Sequence, residues 1–232
     1  IKSEKPFTTY GAFDSQNLMF WDSVNDEYRE YHRNFKAGVR GIMTAASKDP
    51  GNFPKPAWLR YPDARVQALY TNQVQPYYRA PHILMGFPMR YNDRGWSASM
   101  KQLPNLDARK YRAEKSRRYG TVVTDAAFMS SRDGVTFKRW DEAFIRPGPS
   151  KKDTWVYGDN FVFWGMIQTR SPIEGAPDVI SLYAPEGYWE GTFTSVRRYT
   201  LRQDGFVSAH APMSGGGDCY QTVDLRRQQP NA

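Results

Sequence analysis

Three acidic side chains in this sequence stand where they could act on a glycosidic bond. Asp14 opens Asp14-Ser15-Gln16-Asn17, and Asp159 sits in Tyr157-Gly158-Asp159-Asn160. Each cluster immediately precedes a strongly apolar stretch. Glu186 lies among aromatic residues in Leu182-Tyr183-Ala184-Pro185-Glu186-Gly187-Tyr188-Trp189. Glycoside hydrolysis uses one ionised carboxyl group, as nucleophile or base, and one protonated group that assists the leaving oxygen. Asp14 and Asp159 suit the ionised role. Glu186 suits the acid role, because aromatic surroundings disfavour its charged form.

A third polar cluster, Arg79-Ala80-Pro81-His82, also precedes an apolar stretch. The Arg79 guanidinium can grip a carboxylate or sulfate through two parallel hydrogen bonds. With His82 beside it, this cluster suits a charged sugar better than a neutral one. Arg79, His82, Asn160 and Trp189 are the candidate substrate-binding residues. Tyr77, Tyr78, Trp164 and Tyr188 are further stacking faces, or packing between sheets. Asp125 could orient Arg79 or His82, or serve as an ordinary edge residue. Taken singly, each cluster also fits local turn capping by Asp, Asn and Gly. Turn chemistry does not, however, require the Arg and His of the second cluster.

A repeat in the sequence indicates what brings such distant groups together. Gly41-Ile42-Met43-Thr44-Ala45-Ala46-Ser47-Lys48-Asp49, then Pro50-Gly51-Asn52-Phe53, matches Ala127-Phe128-Met129-Ser130-Ser131-Arg132-Asp133, then Gly134-Val135-Thr136-Phe137. A fainter copy runs from Tyr199 to Phe206. Each reads as a strand that ends in a tight turn, so one supersecondary unit is used at least three times. Repeated antiparallel sheets of this size predict an all-β fold, a β-propeller. Polar clusters that enter the innermost strands would then converge on one mouth of a central channel.

The first unit runs from about Phe13 to Leu59, with a buried strand at Leu18–Trp21, turn chemistry at Asp22–Glu27, and strands at Tyr28–Arg33 and Val39–Ala46. The second opens at His82–Phe87 and resumes at Thr124–Ser131. Between them lies a polar insertion from about Asn92 to Gly120, rich in Arg, Lys and Tyr. It reads as a loop or short helix over the binding face, or as a solvated surface loop. The third unit has strands at Phe161–Ile167, Val179–Tyr183 and Val196–Leu201. Residues 1–208 thus form the blades. Residues 209–232, behind the Ser214-Gly215-Gly216-Gly217 break, are a tail or the start of a C-terminal β domain. Three units are too few for a ring of roughly four to eight blades. The remaining blades lie upstream, in segments without a readable strand pattern, or do not exist.

Composition narrows the class further. With 232 residues, 40% of them hydrophobic, the chain can bury a substantial core. Seven Trp and fifteen Tyr, without long Leu/Ala/Glu/Lys stretches, favour strands over helices. The single Cys219 cannot form an internal disulfide. Three His and one Cys show no metal-ligand spacing, so no metal or cofactor is expected. No apolar run approaches the roughly 20 residues that span a bilayer, and no membrane partner is expected. The net charge of +8 favours anionic partners. The basic residues are scattered, apart from Arg109–Arg112 and Lys115–Arg118, and no nucleic-acid module accompanies them. An acidic polysaccharide fits the charge, and nucleic acid is not the expected partner. If a segment precedes Ile1, a secreted or periplasmic location is favoured.

The order of units, the Ser-Arg-Asp-Gly-Val-Thr-Phe turn at Ser131–Phe137, and Tyr78-Arg79-Ala80-Pro81-His82 before an apolar strand together resemble the five-bladed propeller glycosidases. These include the β-fructosidases and the arabinanase and xylosidase relatives. The resemblance covers about Phe13 to Ser208. It implies one carboxylate on each of three successive blades, as base or nucleophile, as transition-state stabiliser within Arg-Asp-Pro, and as general acid. Arg79-Ala80-Pro81 stands where the family has Arg-Asp-Pro, so the stabilising Asp is missing and the chain reads as a divergent member. Glu174, before Gly175-Ala176-Pro177, resembles the Glu-Gly-Pro of the arabinanase branch with one residue inserted, and ranks second to Glu186 as acid. The expected function is hydrolysis of a plant or marine poly- or oligosaccharide, with anionic glycans among the candidates. The alternatives are a polysaccharide lyase, with His82 or a Tyr as base and Arg79 neutralising a uronate, and a glycan-binding propeller without catalysis.

Overall fold

The structure is a computed structural model that describes residues 5–14, 16–152, 154–157, 160–187 and 195–207. Asp159, Tyr188, Trp189 and Cys219 therefore lie outside the described residues. The chain divides into two compact units: Ile1–Gly165 with Tyr183–Arg197, and Met166–Leu182 with Arg198–Ala232.

The first unit begins with a four-stranded antiparallel sheet in chain order, β1 (Leu18–Asp22), β2 (Glu27–Lys36), β3 (Val39–Ser47) and β4 (Ala57–Trp58). The predicted turn chemistry closes β1 onto β2: the Asp22 carboxylate accepts from the backbone N–H of Val24 and Asn25 and from the Asn25 side chain. β2 and β3 meet at Ala37-Gly38, with φ of 48° and 77°. Two adjacent positive φ values give the two-residue hairpin turn whose twist matches the flanking strands. Contrary to the expected buried strand, β1 is an edge strand whose residues alternate in exposure, with Met19 and Trp21 turned outward. It pairs only with β2, so its apolar character covers one face alone.

The chain continues through β5 (Ala68–Leu69), β6 (Gln75–Tyr77), β7 (Ala80–Gly86) and β8 (Met89–Asp93). The insertion follows as α1 (Ala98–Lys101), α2 (Leu106–Lys115) and α3 (Arg118–Thr121), before β9 (Val122–Ala126), β10 (Met129–Ser131) and β11 (Lys138–Arg139). These strands form two antiparallel sheets, ordered β11-β10-β7-β6 and β5-β8-β9. The apolar run expected as one strand over Thr124–Ser131 is split between them, because the backbone leaves one sheet for the other at Ala127-Phe128. Its partner does the same at Phe87-Pro88, where Pro88 has no N–H for a ladder. Ala127 N–H reaches Pro88 O, and the Phe87 and Phe128 rings pack 5.6 Å apart over the crossover. In the insertion, the fully buried Arg109 of α2 donates to the carbonyls of Pro104, Val156 and Trp155, which fixes the helix to the segment after β11.

The repeated sequence is repeated structure. Ser47 ends β3 and Ser131 ends β10, each in chain order the third strand of a four-stranded antiparallel sheet, the first a simple meander and the second with a long crossover between β7 and β10. In the first copy Asp49 N–H bonds Ser47 Oγ, Gly51 N–H bonds Asp49 Oδ1, and Ser47 Oγ bonds Asn52 O. The second copy repeats the pattern with Asp133 N–H to Ser131 Oγ, Val135 N–H to Asp133 Oδ1, and Ser131 Oγ to Thr136 O. Gly134 adopts φ 73°, and a Cβ there would meet the Arg29 guanidinium at 2.5 Å. Tyr31 Oη donates to Gly134 O at 2.9 Å, so the second turn is bolted to the first sheet. Around this bolt Tyr31, Ile42 and Leu59 meet Leu84, Met129 and Phe137, with Leu69 and Val74 between them. Each such side chain, once fully buried, contributes about 1.5–3 kcal/mol.

The third faint copy also follows a strand. β12 (Ile167–Thr169), β13 (Val179–Glu186) and β14 (Ser195–Arg202) form an antiparallel sheet, and Gly205 N–H closes a turn on Arg202 O with Asp204 at φ 60°. The strand expected over Phe161–Ile167 shrinks to Ile167–Thr169. Before it the backbone is occupied elsewhere: Val162 O accepts from the Gln73 side chain, and Phe163 N–H bonds Tyr183 O. Among the described residues the architecture is all-β, four small antiparallel sheets with three short helices and none of the sheets closed. No helix among the described residues is long and apolar enough to cross a membrane.

Asp133 gives the turn a pH signature. Burial opposes its charge, but bonds from Thr136 and Val135 N–H and from Ser131 hold its carboxyl down at about 2. A folded-state value below the unfolded one means that this stabilisation is complete above about pH 4 and is lost as the pH falls toward 2. Solvent exposure limits it to about 1 kcal/mol. Asp133→Asn should lower the urea midpoint at pH 7 and flatten its fall between pH 4 and 2. An unchanged acid profile would remove Asp133 from this role.

Candidate functional site

The first unit encloses a cavity of about 910 Å³. One wall is the β2–β3 hairpin, with Arg33, Phe35, Gly38 and Arg40. Arg33 and Phe35 stand two apart on β2 and so share a face, and Phe35 lies directly opposite Arg40 in the β2–β3 register. Tyr70, Met89 and Tyr91 form the floor, Arg118 and Tyr119 of α3 come from the insertion, and Tyr157 and Phe161 close the side opposite Asp14 and Gln16 in the chain.

Guanidinium groups and aromatic faces alternate along this surface. The Arg33 carbon Cζ lies 5.1 Å from the Phe35 ring centre and 5.5 Å from that of Tyr70. That of Arg40 lies 5.4 Å from Phe35 and 4.7 Å from Tyr91, and that of Arg118 lies 4.9 Å from Tyr119. Each contact holds a cation by the ring quadrupole without consuming its charge. Arg33 is otherwise committed, donating Nε to Ala12 O at 2.9 Å and pairing with Asp14 at 3.3 Å. Arg40 and Arg118 make no ion pair among the described residues, so the cavity keeps two formal positive charges once Arg33 and Asp14 cancel. Tyr157 Oη donates to Tyr91 Oη at 2.8 Å, and burial pushes the Tyr157 phenol far above its usual range. Tyr157 is therefore a neutral donor.

Two devices hold the walls in place. Residues 71–74 are buried, and two consecutive side-chain amides radiate from them. Asn72 Nδ2 donates to Gln16 O at 3.2 Å while its Oδ1 accepts from Val74 N–H, and Gln73 Nε2 donates to Val162 O, next to Phe161. The second device straps residues 10–14 over β2. Ala12 N–H bonds Arg33 O, and His32, buried beside Phe13, is held at 2.6 Å from Glu30 and 2.7 Å from Tyr10 O. Since a carbonyl only accepts, His32 Nε2 carries a proton.

Of the sequence candidates, Asp14 is on the cavity wall. Asn160 is buried beside the lining residue Phe161, and its Nδ2 has no hydrogen-bond partner among the described residues. Of the first cluster Asp14 and Gln16 line this cavity, and of the third Tyr157 does. The second does not join them: Arg79 is exposed in the β6–β7 turn and His82 is half-buried on β7, and neither lines the cavity. Its place is taken by Tyr70, Met89 and Tyr91. Glu186 also lies off this wall, its carboxylate 2.5 Å from Arg197, and Glu174 is exposed in the second unit. Asp125 pairs with Arg90 through two 2.8 Å contacts, rather than with Arg79 or His82. Asp159 and Trp189 are outside the described residues. The sequence reading missed Arg33 and Arg40, although their positions on either side of the Ala37-Gly38 turn already placed them on facing strands. It also missed Asn72 and Gln73, for which no pattern existed. The insertion does reach the cavity, through Arg118 and Tyr119.

No protein-family model matches the sequence, and no curated protein matches it. Among solved structures, the chain is similar to an N-acetylgalactosamine deacetylase from F. plautii in complex with blood group B trisaccharide, at 12% identity and a TM-score of 0.47. The match covers 91% of this chain and 47% of that one, so this chain spans about half the length of the deacetylase.

Asn72→Ala should release Gln16 and leave Val74 N–H without its side-chain acceptor. A loss of about 1–3 kcal/mol in denaturant unfolding is expected. A loss below about 0.5 kcal/mol would show that the amide does not hold this wall.

Proposed function

We propose that this chain is a carbohydrate-active enzyme of the glycosidase type that takes an anionic sugar in the arginine-aromatic cavity. The observation that carries the reading is the pair of guanidinium groups, Arg40 and Arg118, that make no ion pair among the described residues and are set among aromatic rings in one concavity. Two fixed cations suit a carboxylate or sulfate, and the rings suit the apolar faces of a pyranose. Asp14, oriented by Arg33 at the edge of the same wall, is assigned as base or nucleophile. Asp159, two residues from both Tyr157 and Phe161 in the sequence, is the second carboxyl group of this reading. For the fold, the two four-stranded antiparallel sheets with matching turns support a reading as blades of a five-bladed propeller of the glycosidase kind.

The Tyr91–Tyr157 hydrogen bond favours a second reading, β-elimination from a uronate. There Tyr91, as a phenolate accepting from Tyr157, would take the proton next to the carboxylate, the C–H electron pair would form the ring double bond, the glycosidic C–O bond would break, and the leaving oxygen would take the proton from Tyr91. Arg40 and Arg118 would neutralise the carboxylate.

A panel of uronate-containing, sulfated and neutral glycans separates these readings. Hydrolysis predicts new reducing ends without an ultraviolet-absorbing unsaturated product, restricted to anionic glycans. Asp14→Asn should then lower kcat about 100-fold or more, in line with the usual size of acid–base contributions. Full activity in that variant would overturn the hydrolytic assignment, and an unsaturated product would replace it by elimination. Preference for neutral glycans would overturn the reading of the cavity.

A further inference from the structure

We infer that Gln16 is a specificity residue that favours a hydroxylated acid over a bare anion; this rests on the anionic-sugar reading of the same cavity. The cations on the wall only donate hydrogen bonds: Arg40 and Arg118 have no acceptor atom to offer. The Asp14 carboxylate faces Arg33, and Tyr91 Oη already accepts from Tyr157. An inorganic anion, which brings acceptors and no donors, would satisfy such a wall completely. Gln16 breaks that symmetry. It lines the cavity, and its amide oxygen Oε1 is buried with no hydrogen-bond partner among the described residues. Arg40 Nε is buried and unpartnered as well. The wall therefore holds one donor in want of an acceptor and one acceptor in want of a donor, which matches an acid group and a hydroxyl on one molecule. A sugar acid carries both.

The backbone supports the same assignment. Gln16 adopts φ 63°, a left-handed conformation that costs a non-glycine residue and persists only where the surroundings impose it. Here the imposing contact is Asn72 Nδ2 on Gln16 O, made by a buried side chain that does not line the cavity. Strain held in this way, beside an unsatisfied amide, recurs at binding sites. A turn about the side-chain torsions of Gln16 relieves the buried oxygen as soon as a hydroxyl donor arrives.

Calorimetry with two probes, inorganic sulfate and glucuronate, tests this on the full chain and on Gln16→Leu, Gln16→Asn and Arg40→Met. Asn tolerates the left-handed conformation and keeps the amide one methylene short, so it guards against a folding artefact. Sulfate should bind the native chain and both Gln16 variants alike. Glucuronate should bind the native chain more tightly than sulfate does, and lose about tenfold in both Gln16 variants, the worth of one well-placed hydrogen bond. Arg40→Met should weaken both probes. If glucuronate binds the Gln16 variants within about twofold of the native chain while Arg40→Met still weakens it, the role of Gln16 is overturned and the cavity reading stands. If Arg40→Met changes neither probe, the cavity reading falls and Gln16 with it.

Discussion

Positive charge held against aromatic faces, with two of three guanidinium groups making no ion pair among the described residues, is the constraint around which this site is arranged. A guanidinium over a ring keeps its charge and its outward N–H groups, but loses the freedom to fold back and find a carboxylate. Phe35 serves two arginines at once, Arg33 on its own strand and Arg40 on the facing one. Asp14 neutralises the first and leaves the second. The pairing decides where on the wall a negative ligand is attracted. Had the acid been placed against Arg40, the lining would carry the same net charge, but the guanidinium left for a ligand on this hairpin would be Arg33.

That arrangement depends on parts of the chain with no charge at all. Residues 71–74 are buried, and Asn72 and Gln73 use their side-chain amides as struts to opposite walls, one toward Gln16 and the other toward Val162. Gln73 also adopts a positive φ, 52°, so that two consecutive amides serve different segments. The Glu30–His32 pair holds the strap that carries Asp14. Buried polar groups of this kind specify one geometry, because each alternative leaves a donor or acceptor without a partner.

What was legible in the sequence was local. The Ser-basic-Asp turns were visible because their hydrogen bonds run between residues two to five apart, so the chemistry and the sequence occupy the same window. Asp14 and Tyr157, which line one cavity, each stand in a polar cluster just ahead of an apolar stretch. What was hidden depended on long-range pairing. Nothing in the continuous apolar run through Ala127-Phe128 announces that it leaves one sheet for another, since the switch is set by Pro88 and by a ring pair forty-one positions apart in sequence, Phe87 and Phe128. The apolar Phe161–Ile167 looked like a strand, yet its backbone bonds are claimed by Gln73 and Tyr183. Arg79 and His82 had the right chemistry for an anion but stand in a hairpin turn and on a strand away from the cavity.

The most direct measurement is a crystal structure of the chain with a bound glucuronate-containing oligosaccharide. The account predicts the carboxylate within hydrogen-bonding distance of both Arg40 and Arg118, with a sugar ring against the aromatic wall of that cavity. A carboxylate held at Arg79 and His82, or a ligand bound with both cavity arginines uninvolved, would contradict it.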